Sequence, residues 1–205
     1  MRRRIILPAA LVLAATTLLP ATVAAATPAT AAATGAVEPA TQCPSGWDSP
    51  AESRSTAQAP ELRGIRSGEH PCYDRLVFDA PGSSPANPVG YQVRYTDALL
   101  QDASGHPLPV RGGAVLEVVV DSPAYDRQTM APTIPGRSGQ PLPGVDVTGY
   151  RTFRDTVFGA SFEGRTQIGL GLRARLPYRV LQLDDRLVVD VAHTWNGNLT
   201  TPTQN

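Results

Sequence analysis

The chain contains no lysine: all 18 basic residues are arginine, and 18 acidic residues cancel them to a formal charge of +0. No basic surplus remains of the kind that marks a nucleic-acid binder, and there is no long acidic tail, so nucleic acid is not an expected partner. Cysteine (2) and histidine (3) are scarce. His70, His106 and His193 show neither HxxxH spacing nor a cysteine partner at ligand distance in sequence, which gives no reason to expect a metal site. No phosphate loop or cofactor fingerprint appears either, so no cofactor is expected. Beyond the N-terminal segment no stretch keeps a helical period over about 11 residues, and 20 prolines cut the chain into short pieces. With 205 residues there is room for one ordinary domain with a buried core.

What is present begins with an export signal. Met1-Arg2-Arg3-Arg4 forms a positive n-region, Ile5 to Leu19 an apolar stretch, and Ala24-Ala25-Ala26 the small residues of a cleavage site. Residues 1–26 are therefore expected to be a signal peptide. Pro8 and Pro20 bracket an apolar stretch shorter than the roughly 20 residues that span a bilayer, so no stable membrane span is expected after processing. Cys43 lies too far downstream to be a lipobox cysteine. Cleavage removes three arginines and no acid, which leaves a mildly acidic secreted protein.

Residues 27–60 then form an Ala/Thr/Pro-rich linker and lead-in, 61–195 the folded domain, and 196–205 a disordered tail. The tail carries a formal sequon at Asn198 that is expected to stay unmodified in a bacterial exported protein. Cys43 and Cys72 both fall on the exported part, where thiols are oxidised, and a Cys43–Cys72 disulfide follows. It closes a loop worth about 3 kcal/mol of chain entropy and pins the segment containing Trp47 to the front of the first strand.

The rest of the domain reads as short strands, and the fold class is all-β. Tyr91, Val93 and Tyr95 alternate with Gln92 and Arg94, Ala114 to Val120 is rich in β-branched residues, and Ile168, Leu170 and Leu172 alternate with glycines. Tyr178 to Leu183 and Arg186 to His193 form a hairpin across Asp184-Asp185. Asp74-Arg75-Leu76-Val77-Phe78-Asp79 recurs as Asp185-Arg186-Leu187-Val188-Val189-Asp190, an internal pseudo-symmetry. Leu76 and Phe78 share a core face while Arg75, Val77 and Asp79 lie on the other, and the same holds for Leu187 and Val189 against Arg186, Val188 and Asp190. Two roles suit that polar face. The charges can form cross-strand ion pairs that fix register, or the arginines can form part of a planar fork for ligand carboxylates.

In order along the chain, Arg66-Ser67-Gly68-Glu69-His70, Tyr73 to Asp79, Gly90-Tyr91-Gln92-Val93, Ser161-Phe162-Glu163-Gly164, Gly169-Leu170-Gly171-Leu172, Pro177-Tyr178-Arg179-Val180 and Arg186 to His193 resemble the AMIN-like domain of exported actinobacterial proteins. The closing half is also similar to the AMIN domain found beside cell-wall amidases and in secretin-type envelope proteins. The resemblance covers about Leu62 to Thr194. It implies a single-domain β-sandwich of two sheets, a place in the cell envelope and, for the wider AMIN group, attachment to peptidoglycan without catalysis.

The expected function is accordingly that of a non-catalytic, secreted envelope module. Its partner is peptidoglycan or another envelope polymer, or a wall-associated protein. Arg75, Arg179 and Arg186 are the candidate carboxylate-binding residues, and Tyr91, Tyr95 and Tyr178 the candidate stacking surfaces for sugars. A secreted hydrolase is the rival. Gly159 to Gly164 is superficially like a nucleophile elbow, but glutamate takes the fifth position and no strand-to-helix context surrounds it, so it reads as a turn. Glu163, Asp190 and His193 are residues that such a reading could bring together, but no triad motif accompanies them.

Overall fold

The computed structural model describes residues 43–56 and 60–195. The expected signal peptide, the linker up to Gln42 and the tail with its sequon lie outside the described residues. Twelve strands form among them: β1 (Glu52–Arg54), β2 (Gly64–Glu69), β3 (Tyr73–Asp79), β4 (Tyr91–Thr96), β5 (Leu99–Leu100), β6 (Pro107–Leu108), β7 (Ala114–Val120), β8 (Gln140–Pro141), β9 (Phe153–Phe162), β10 (Arg165–Leu172), β11 (Tyr178–Leu183) and β12 (Arg186–Ala192). They pair antiparallel into a six-stranded sheet in the order β1-β4-β7-β10-β9-β8, a four-stranded sheet in the order β11-β12-β3-β2, and a small β5-β6 ribbon. The described residues contain no helix. The architecture is all-β, as the strand patterns imply, and a sandwich, as the family resemblance implies.

Alternation explains the core. Leu76 and Phe78 of β3, with Leu187, Val189 and Val191 of β12, point from the four-stranded sheet into one apolar cluster. Val93, Leu116, Val118, Val120, Ile168, Leu170 and Leu172 meet them from the six-stranded sheet. Burying such side chains contributes about 1.5–3 kcal/mol each. The glycines that alternate with the β10 leucines serve the opposite face. A Cβ on Gly169 would fall 2.4 Å from Leu99 Cδ2, and one on Gly171 only 2.0 Å from the Arg111 carbonyl oxygen. The β5-β6 ribbon and the segment after it therefore lie directly on β10, and only glycine permits that approach.

The hexapeptide repeat has a specific meaning in three dimensions. β3 and β12 are antiparallel neighbours, and their register sets Arg75 opposite Asp190, Leu76 opposite Val189, Val77 opposite Val188, Phe78 opposite Leu187, and Asp79 opposite Arg186. Each copy lies against the other inverted, so the sequence repeat is a local two-fold axis between paired strands. The hairpin from β11 to β12 turns at Asp184-Asp185, with Asp185 at φ 59°. Aspartate tolerates this left-handed conformation better than most residues. Here its carboxylate also accepts the Gly82 amide at 2.8 Å, while its carbonyl accepts the Ala80 amide.

Two local expectations change. Residues 159–162 of the segment read as a turn belong to β9, and only Glu163-Gly164 turn the chain into β10. The lead-in before the domain supplies edge strand β1, which pairs with β4 through Glu52 and Val93. The Cys43–Cys72 disulfide is formed. Beside it, buried Asp74 stitches the two sheets together: its carboxylate accepts the Thr152 and Phe153 amides at 2.6 and 2.9 Å and lies 2.9 Å from His193 Nε2.

Candidate functional site

One row of residues crosses the outer face of the four-stranded sheet. In register, Arg179 of β11 faces Asp190 of β12, which faces Arg75 of β3. Arg75 grips Asp190 with both arms of its fork, Nε to Oδ1 at 2.6 Å and Nη2 to Oδ2 at 2.9 Å. Arg179 approaches from the other side, Nε at 2.9 Å and Nη2 at 2.8 Å from Oδ2. The Asp190 side chain has no exposed surface, whereas those of Arg75 and Arg179 are 22% and 32% exposed. The hydrogen bond to Asp190 holds the Arg75 guanidinium above its ordinary pKa. Two cations against one anion leave the row with a surplus positive charge, and among the described residues Nη1 of each arginine has no partner.

An aromatic layer is built around this row. Tyr73 shares the face of Arg75 two residues earlier on β3, and the guanidinium carbons of Arg75 and Arg179 lie 5.2 and 5.5 Å from its ring centre. His70 stacks on Tyr73 at 4.6 Å. Trp47 covers Arg179 at 4.3 Å and tilts against Tyr73 at 5.5 Å. Trp47 precedes the first strand, so it needs an external anchor. The disulfide holds one side of its segment, and the Tyr178 amide donates to the Asp48 carbonyl at 2.8 Å on the other. Arg175 adds a hydrogen bond to the Ser49 carbonyl at 3.0 Å. A half-exposed surface of alternating rings and guanidinium groups results, suited to a ligand that joins a flat apolar face to a negative charge.

The structure brings together only part of the set expected from sequence. Arg75 and Arg179 converge. Arg186 sits at the far end of β12, where its Nε donates to the Asp184 carbonyl at 3.1 Å, while Asp79 opposite it is taken by Arg66. Tyr91 and Tyr95 belong to the six-stranded sheet and pack against the core, with Arg54 over the first ring and Arg175 over the second. Tyr95 is also locked at its hydroxyl, which donates to the Leu176 carbonyl at 2.6 Å. Tyr178 is 1% exposed and cannot stack on a sugar. Its hydroxyl proton is shared between the carbonyls of Val93, at 2.9 Å, and Pro50, and burial raises its pKa.

Trp47, His70 and Tyr73 were not among the residues expected at a site. The signal available in sequence was their position beside the disulfide, with Trp47 four residues after Cys43 and Tyr73 directly after Cys72. The three residues of the rival hydrolase reading do not converge. Asp190 is clamped on the outer face, His193 points inward to Asp74, and Glu163 occupies the tip of the β9-β10 hairpin. Among the described residues no group of three or more His, Cys, Asp or Glu is placed to hold a metal, and no helix is long and apolar enough to cross a membrane.

Among known proteins, the family model for the AMIN-like domain matches residues 60–193. Neither curated proteins nor solved structures give a significant match.

Proposed function

The chain belongs to the AMIN-like domain family, and from that premise we propose that it is a non-catalytic, exported binding module that holds peptidoglycan or a related anionic envelope polymer on the outer face of its four-stranded sheet. Membership suggests a cell-wall-associated binding module, and the disulfide accords with an extracellular or envelope location. The observation that carries the choice of surface is the Trp47–Arg179–Tyr73–Arg75 layer. Its rings offer flat faces to sugars, and its surplus guanidinium charge offers donors to the carboxylates of glycan or stem peptide. Asp190 holds both forks in one orientation before any ligand arrives, which lowers the ordering cost of binding.

The chain has two tryptophans, Trp47 and Trp195. In a Trp195→Phe background, Trp47 emission reports the site directly. Titration with soluble peptidoglycan fragments should give a saturable change that Arg179→Gln weakens. A flat titration, or one that Arg179→Gln leaves untouched, would remove this face from consideration.

A further inference from the structure

A second surface lies on the six-stranded sheet, away from the arginine row. The loop from Ala124 to Gly136 and the end of β9 enclose an open groove of about 560 Å³. Ile134 and Phe158, both buried, form its floor. Gly136 lies so flat on the Phe158 ring that a Cβ there would come within 2.3 Å of it, so the groove depends on that missing side chain. Its rims are Met130 and Phe162, which are 65% and 52% exposed. Met130 has φ 59°. A long apolar side chain in left-handed backbone is disfavoured, and here Asp126 imposes it by accepting the Gln128 and Thr129 amides while its own carbonyl accepts the Met130 amide.

The groove lining holds a single charge, which forms no ion pair among the described residues. Glu163 is the only charged residue in the lining. It is exposed and makes no hydrogen bond or ion pair with the described residues. Arg127 reaches neighbouring Gly164 but forms no ion pair with Glu163.

We propose that this groove docks an extended segment of a partner protein, which inserts one large apolar side chain between Met130 and Phe162 and sets a basic residue against Glu163. The apolar lining favours a peptide over a glycan, whose hydroxyls would find few polar partners there. The negative lip selects a cationic neighbour to the anchor.

The test is nuclear magnetic resonance titration of the isotope-labelled protein with acetyl-Phe-Arg-amide, acetyl-Phe-Glu-amide and decanoate. The arginine peptide should shift the amides of Phe158, Phe162 and Glu163 saturably and bind about threefold to fivefold tighter than the glutamate peptide. Glu163→Gln should erase that preference. Met130→Gly should weaken the arginine peptide while leaving the melting temperature equal or higher, which separates loss of the rim from loss of the fold. Equal affinity for the two peptides, no shifts at about 10 mM, or binding of decanoate alone would each overturn the proposal.

Discussion

Replacing Asp190 with asparagine removes the one anion beneath two guanidinium groups and keeps the shape of the side chain. Asp190 has no exposed surface and accepts four N–H contacts at 2.6–2.9 Å. Removing one partner of a fully buried ion pair costs about 3–5 kcal/mol. Here the stranded partners, at 22% and 32% exposure, retain part of their hydration, so the expected loss is nearer 2–3 kcal/mol. For a domain of this size that lowers Tm by about 4–12 °C. Arg75→Gln leaves Arg179 on the carboxylate and should cost about 1–2 kcal/mol. Arg186→Gln, which breaks no carboxylate contact, should stay within about 0.5 kcal/mol of the parent. Urea unfolding of the three variants measures the ranking. An Asp190→Asn variant as stable as the parent, or Arg186→Gln as damaging as Arg75→Gln, would refute the placement of the clamp.

Three other outcomes follow from the same geometry. Replacing both Cys43 and Cys72 with serine should cost about 3–4 kcal/mol in urea unfolding and shift Trp47 emission, because the segment carrying that ring loses an anchor. Gly171→Ala should destabilise by about 3 kcal/mol or more, and Gly169→Ala by less: the first meets a backbone oxygen at 2.0 Å, the second chiefly the movable end of Leu99. Burial raises the pKa of Tyr91, Tyr95 and Tyr178. The unfolded chain therefore releases these protons first, and stability that is intact below about pH 10 should fall as pH rises beyond it. Tyr178→Phe should flatten that fall in a series of urea midpoints.

The strands were legible because period-two alternation survives wherever one face is core, as at Tyr91 to Tyr95 and Ile168 to Leu172. The Asp-Arg-Leu-Val repeat announced a symmetry, but not that its copies pair with each other, since register between distant strands is written in no local pattern. The arginine row was half legible. Parity put Arg75 and Asp190 on polar faces, whereas the separation of Arg186 from the other two appears only once β12 is laid against β3. Tyr178 misleads for a physical reason: an aromatic at a strand start fits either a wet face or a core edge, and the hydroxyl contacts to Pro50 and Val93 that decide the matter come from other elements. Trp47 was invisible as a site residue because it belongs to no strand and acquires its place from a disulfide 29 residues long.

The central claim is that the face carrying Trp47, Arg179, Tyr73 and Arg75 binds the envelope polymer. Its most direct test is co-sedimentation of the chain from Thr27 onward with isolated peptidoglycan stripped of protein and secondary polymers, at low and high salt, beside Trp47→Ala and Arg179→Gln. The account predicts that the parent pellets in a salt-sensitive way and that both variants stay in solution while retaining the parent's circular dichroism spectrum. A parent that remains in the supernatant at every salt concentration, or folded variants that pellet as the parent does, would contradict it.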